Sequence, residues 1–466
     1  MTDIVCISPV DGREYARRPI ASQAVIASAL TAARRAQAEW RHVPVAERAE
    51  ILSAAVHAML AMTDDIAPEL SWQMGRPIRY AAGELKGFEE RARHMIALAE
   101  TALAPVVPAV KEGFTRYIKR EPLGVVLTVA PWNYPFLTAV NSVVPALMAG
   151  NAVILKHAAQ TLLVGERFQR AMDTAGLPKG LFQALCLGHG ETLDLISSGS
   201  VNHVCFTGSV EAGRAIERAG AGTFTTIGLE LGGKDPAYVR SDADLKLAVE
   251  TLVDGAMFNS GQCCCGIERI YVHRDLYHAF VRDAVSLTSQ YVLGSPLDHA
   301  TTLGPMAQLR LAETVRRHIS DAIGKGAKAH LDPRSFASAQ DGTAYDGTAY
   351  LAPQILTAVD HSMLVMSEET FGPVVGIMPV EDDAQAVRLM NDSAYGLTAA
   401  IFTQDEVAAA TLGDSLETGT VFMNRCDYLD PGLAWTGVKN TGRGTTLSSL
   451  GYDALTRPKS YHFKKV

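Results

Sequence analysis

The pattern of apolar and polar positions changes character twice along the chain. Over residues 22–104 apolar residues recur at helical spacing, in the alanine-rich 24–38, then across 45–62 and 79–103. Pro44 suits a helix-start position. This region reads as helical packing with no visible chemistry. Over 123–240 short continuous apolar runs alternate with amphipathic stretches. The runs 123–129, 152–156, 181–187, 201–206 and 225–229 are expected strands. The stretches 139–149 (which Pro145 should interrupt), 161–175 and 210–219 are expected helices. Such alternation predicts a parallel sheet covered on both faces, with ligands bound beyond the carboxyl ends of its strands. A similar pattern begins at 270–272 and 276–290 and continues to about 425.

Two remote stretches, 113–120 and 459–464, alternate like solitary amphipathic strands. They are candidates for an edge that pairs, within one subunit or with another. A tandem Asp-Gly-Thr-Ala-Tyr at 341–350 reads as a surface hairpin or loop.

At 466 residues the chain is too long for one core, so two or more domains are expected. A net charge of −8 argues against a nucleic-acid partner. There is no apolar run of about 18 residues, so no membrane span is expected. Nor does the amino end show a basic stretch followed by an apolar core, as a secretory signal would. Seven cysteines, an odd count, are sparse apart from one triplet. That suits a reducing cytoplasm, where a thiol stays free.

The chemistry gathers in 228–269. Glu230 stands among apolar residues ahead of Gly232-Gly233, and Cys263-Cys264-Cys265 is bracketed by Gly261 and Gly266. Alone, such residues are more often a solvated acid and small buried hydrophobes. Brought together, a carboxylate and a thiol make a base and a nucleophile. Three consecutive cysteines do not comfortably share one tetrahedral zinc, and no Cys-x-x-Cys partner exists elsewhere, so no metal is expected. Gly208-Ser209 follows an expected strand and opens an expected helix, where backbone N–H groups can hold a phosphate. The usual dinucleotide glycine fingerprint is absent, since Gly188-His-Gly190 lacks its third glycine.

Leu229-Glu-Leu-Gly-Gly-Lys234 and Phe258-Asn-Ser-Gly-Gln-Cys-Cys-Cys265 resemble the glutamate and cysteine signatures of the aldehyde dehydrogenase superfamily. Pro131-Trp-Asn-Tyr-Pro135, Phe206-Thr-Gly-Ser209 and Glu369-Thr-Phe-Gly-Pro373 resemble further words of that family, in the right order. The resemblance covers nearly the whole chain. It implies an α/β fold with a Rossmann-like parallel-sheet cofactor domain (1–104 and 123–229), an α/β catalytic domain (230–436) and a small β oligomerisation arm (105–122 and 437–466). It implies a homodimer or homotetramer that oxidises a small aldehyde to a carboxylic acid with NAD or NADP.

By the same resemblance Cys264 is the nucleophile, Asn133 the oxyanion donor and Glu230 the base that hydrolyses a thioester. Trp132, Lys156, Ala159, Gly208, Ser209, Leu231, Glu369 and Phe371 fall at cofactor-binding positions. Ala159 stands where NAD-preferring relatives often carry glutamate, so NADP should serve at least comparably to NAD. Ala434-Trp-Thr436 departs from the family's Pro-Phe-Gly. Tyr134, Thr138, Asn141, Arg425, Cys426, Tyr428 and Trp435 are candidates for the substrate tunnel. Arg425 could attract an acidic aldehyde or pair with Asp427 or Asp430. Competing readings are a semialdehyde dehydrogenase of narrow specificity, a thiol hydrolase with no hydride step, and a silent oligomeric binding protein. Retained Glu230 favours water over coenzyme A as acyl acceptor.

Overall fold

The computed structural model describes residues 3–336 and 347–466. Most of the tandem repeat at 341–350 therefore lies outside the described residues. Two sheets dominate. The first has six strands in the order Gly442–Arg443, Thr226–Glu230, His203–Thr207, Val125–Val129, Ala152–Lys156 and Phe182–Ala184. All pair in parallel except Gly442–Arg443, which runs antiparallel to Thr226–Glu230. Its inner strands are largely apolar because helices cover both faces; Val153, Ile154 and Leu155 are wholly buried.

Helices Gln23–Trp40 and Pro135–Met148 pack on this sheet, and Ile78–Ala102 lies along Pro135–Met148. Pro145 does not interrupt its helix. It sits in the last turn, where the lost N–H bond is a local cost that a wholly buried helix face outweighs.

The second sheet has seven strands: Lys328–Ala329, Gln354–Thr357, Val374–Val380, Ile267–His273, Asp235–Val239, Thr398–Phe402 and Thr420–Met423. Only Lys328–Ala329 pairs antiparallel. Phe114–Pro122 and Thr456–Lys464 pair with each other as an antiparallel ribbon. Tyr117 and Tyr461 are direct partners there, with rings stacked 4.6 Å apart. The last thirty residues are not all ribbon, since Val438–Lys439 pairs with Tyr395–Gly396 and Gly442–Arg443 joins the first sheet. Among the described residues no helix is long and apolar enough to cross a membrane.

Three strands of the first sheet end side by side. Val125–Val129 runs out toward Trp132 and Asn133, His203–Thr207 toward Gly208 and Ser209, and Thr226–Glu230 ends on Glu230 itself. Beyond these carboxyl ends lies the segment that leads into the second sheet.

Candidate active site

A cavity of about 390 Å³ opens at that edge. Asn133, Glu230 and Cys264 line it. So do Trp132, Lys156, Gly208, Ser209, Leu231, Glu369 and Phe371. Ala159 does not; it is exposed at the start of the short turn Ala159–Thr161, and Ala158 forms the wall beside it.

The cysteine turn is held rigid from several directions. Asn259 and Ser260 both adopt positive φ, at 53° and 56°, an uncommon conformation for residues with a side chain. Gly261 follows at +68°, and a Cβ there would sit 2.2 Å from the Gly372 carbonyl oxygen, so the position demands glycine. The Gln262 side chain accepts from the Ala307 N–H at 2.8 Å and donates to the Asn259 carbonyl at 3.0 Å. The Asn259 side chain donates to the Gln262 carbonyl at 3.1 Å. These bonds offset the backbone strain.

The three sulfurs lie within 4.8 Å of one another, and those of Cys263 and Cys265 are 3.5 Å apart. Cys263 and Cys265 are buried, while Cys264 is half-buried and is the one that lines the cavity. Hydrogen bonding to Cys263 holds the Cys264 thiol well above the usual thiol range. Received from Cys264 and Cys265, the same bonds hold Cys263 well below it.

Asn133 is positioned by an ion pair that begins in the helical region. Arg76 and Glu84 are both buried and paired with each other. Glu84 also accepts from the Phe136 and Leu137 N–H groups at 2.9 and 3.0 Å, capping the first turn of Pro135–Met148. Arg76 donates to the Asn133 carbonyl at 2.5 Å and to the Asn259 side chain at 3.2 Å, and stacks over the Tyr134 ring. The Asn133 amide donates to the Gln262 carbonyl over 3.3 Å, a long bond that yields readily to a better acceptor.

Glu230 accepts from Thr446 Oγ1 at 2.5 Å and from Thr207 Oγ1 at 3.2 Å. Burial raises its pKa; the two hydroxyls oppose that rise. A second cavity of about 390 Å³ reaches Glu230 from the side of Ser142 and His203. The carboxylate thus stands between two spaces that can hold water.

The remaining wall fits a dinucleotide. Ser209 caps helix Val210–Gly220, its Oγ accepting from the Ala212 N–H at 3.3 Å, and the start of that helix faces the cavity. Lys156 offers a half-buried ammonium at a strand end, its pKa pushed down by burial. Trp132 and Phe371 pack edge to face, 5.7 Å apart, with Phe371 at φ 54°. Burial raises Glu369 to about 8, and it accepts from the Gly233 N–H at 3.1 Å. A Cβ on Gly232 would lie 2.3 Å from that carboxylate, so glycine is what admits it. Glu268 holds this loop through the Thr370 and Phe371 N–H groups and pairs with buried Lys234. An anion-binding helix start, a cation, two aromatics and a buried carboxylate match the phosphates, the ring and the ribose hydroxyls of such a molecule.

Of the tunnel candidates, Thr138, Asn141 and Trp435 line the cavity, whereas Tyr134, Arg425, Cys426 and Tyr428 do not. Arg425 is exposed and lies over the Tyr428 ring at 4.1 Å. Neither Asp427 nor Asp430 forms a salt bridge with it among the described residues, although its charge acts on Asp427. Arg76, Glu84, Glu268 and Thr446 were not singled out by sequence reasoning. Nor was Arg91, whose side chain does line the cavity.

The aldehyde dehydrogenase family model matches residues 1–461. A 3,6-anhydro-alpha-L-galactose dehydrogenase from Streptomyces coelicolor is 34% identical, over 98% of this chain and 92% of its own. The NAD(P)+ succinate semialdehyde dehydrogenase Sad from Escherichia coli is 32% identical, over 97% and 96%. A betaine aldehyde dehydrogenase from Staphylococcus aureus, solved with NAD+, superposes with a TM-score of 0.93 at 27% identity, covering 100% of this chain and 92% of that one. The family model spans nearly the whole chain and both curated relatives are more than 30% identical over almost all of it, so the chain belongs to the aldehyde dehydrogenase family: it is an oxidoreductase that acts on aldehydes with NAD or NADP.

Proposed function

We propose that Cys264 attacks the aldehyde, that Asn133 and the Cys264 backbone N–H hold the resulting oxyanion, and that Glu230 activates the water which releases the acid. The supporting observation is access: of three adjacent thiols, Cys264 alone lines the cavity that Asn133 and Glu230 also line. Cys263 carries the lower pKa but is sealed behind it. For a nucleophile, reach decides before acidity does.

Attack requires the Cys264 proton to leave, and the bond to Cys263 gives it a path into the cluster. The tetrahedral adduct places its oxygen where the Asn133 amide can exchange its long bond to Gln262 for a charged acceptor. NAD(P), when bound against Trp132, Lys156, Ser209, Glu369 and Phe371, supplies the two-electron oxidant. Glu230, with its raised pKa, takes a proton from the water that opens the thioester on Cys264. The first sheet with its helices would carry the cofactor, the second the cysteine. The ribbon Phe114–Pro122 with Thr456–Lys464 would join subunits into a homodimer or homotetramer. Seven unpaired thiols suit a cytoplasmic setting.

NAD(P)H formation from an aldehyde, followed spectroscopically for wild type and Cys264→Ala, tests the assignment. Turnover by the wild type and none by the variant is expected. Equal turnover would remove Cys264 from the reaction.

A further inference from the structure

Helix Ile78–Ala102 turns two charged side chains inward, Glu84 and Arg91, at 2% and 7% exposure. Glu84 is matched by Arg76. Arg91 makes no salt bridge among the described residues, although the charges of Glu84 and Glu230 act on it. Its Nη1 donates to the Leu137 carbonyl at 2.8 Å and, over 3.4 Å, to Asn141 Oδ1. Its Nε and Nη2 donate to no protein atom among the described residues, yet neither is sealed within the protein. Arg269, a comparably buried arginine, instead directs its guanidinium at the carbonyls of Lys234, Leu389, Met390 and Asp392.

A desolvated cation with two idle donors is expensive unless something arrives to match it. Here the idle edge belongs to a side chain lining the cavity that holds Cys264. Thr138, Asn141, Leu429 and Trp435, which carry no charge, line the same cavity. Glu230, its acidic neighbour there, already accepts from Thr446 and Thr207. A guanidinium edge presents two parallel N–H groups, the geometry that a carboxylate fills.

With Cys264 as the attacking group, on which this rests, we propose that Arg91 determines specificity by binding the far end of the substrate, and that the preferred aldehydes carry a carboxylate there. Asn141 and the Leu137 carbonyl orient the guanidinium for that role.

The test compares kcat/KM for ω-carboxy aldehydes with that for n-alkyl aldehydes of equal chain length. Both are measured on the same preparation of wild type, Arg91→Gln and Arg91→Lys. The ratio of the two does not depend on how much of a preparation is folded. Wild type is expected to favour the ω-carboxy series. Arg91→Gln should lower that ratio roughly 10- to 100-fold, the range for a hydrogen bond to a charged group. Arg91→Lys, which keeps the charge but loses the fork, should fall between them. A wild type without preference, or a ratio unchanged in Arg91→Gln, would overturn the proposal. Absence of NAD(P)H from both series would instead sink the catalytic reading beneath it, and this proposal with it.

Discussion

Arg76 donates from Nη2 to the backbone carbonyl of Asn133 at 2.5 Å, so a residue of the helical region fixes the loop that carries the proposed oxyanion donor. Arg76→Met would leave Glu84 as an unpaired buried carboxylate, a loss of about 3–5 kcal/mol in unfolding free energy. Arg76→Lys keeps the charge but cannot reach Glu84, Asn133 and Asn259 together. It should lower kcat by about 100-fold while the protein remains folded, because a small misplacement at the reacting centre is costly. Initial rates and urea unfolding of both variants check this. A fully active Arg76→Lys would disconnect the pair from Asn133.

Access within the cysteine cluster predicts an uneven response to substitution. Cys264→Ala should abolish aldehyde oxidation, whereas Cys263→Ala and Cys265→Ala should weaken it by altering where the proton and charge reside. Steady-state rates decide. Loss of activity in Cys263→Ala equal to that in Cys264→Ala would move the nucleophile inward.

The pH profile should report on Glu230. A base works as the carboxylate, so the hydrolytic step fails as pH falls through its pKa, which burial has raised. Thr446 donates to the charged form; Thr446→Val removes that support and raises the pKa further. The acid limb of the kcat profile should then move to higher pH, by roughly one unit. Thr207→Val, which removes a longer bond, should move it less. An acid limb that stays put in both variants would take Glu230 out of the hydrolytic step.

Cofactor choice should follow from Ala159. A glutamate there would repel a 2′-phosphate by roughly 4 kcal/mol at ~4 Å and an effective dielectric near 20, less where water screens it, as it does at this exposed position. With alanine instead, and with Lys156 in the cavity wall, NADP is expected to serve at least comparably to NAD. Ala159→Glu should shift kcat/KM toward NAD. A wild-type preference for NAD above about a hundredfold, untouched by the glutamate, would contradict this.

The elements that position the site were legible where the signal is local. Strands such as Ala152–Lys156 are continuous apolar runs because both faces are covered. Glu230 and Cys264 stood out because glycines and chemistry share one short stretch. Arg76, Glu84 and Arg91 were not legible, since they are charged residues in a segment otherwise rich in surface charge. Helical periodicity does not say that an arginine turns inward when its partner is a carbonyl 46 or 57 positions away. Thr446 is a similar case, reaching Glu230 across 216 residues. Locality also misdirected: Arg425 lies near Asp427 and Asp430 in sequence but stacks on Tyr428, outside the cavity.

The central claim is that one thiol is acylated and one carboxylate clears it, and trapping the intermediate tests that most directly. Glu230→Gln, mixed with aldehyde and NAD(P), should give a burst of NAD(P)H stoichiometric with sites and then stall. Mass spectrometry of the stalled protein should find the acyl group on the peptide carrying Cys264, and fragmentation should place it on that sulfur. An unmodified Cys264, or acylation at Cys263 or Cys265 instead, would contradict the account.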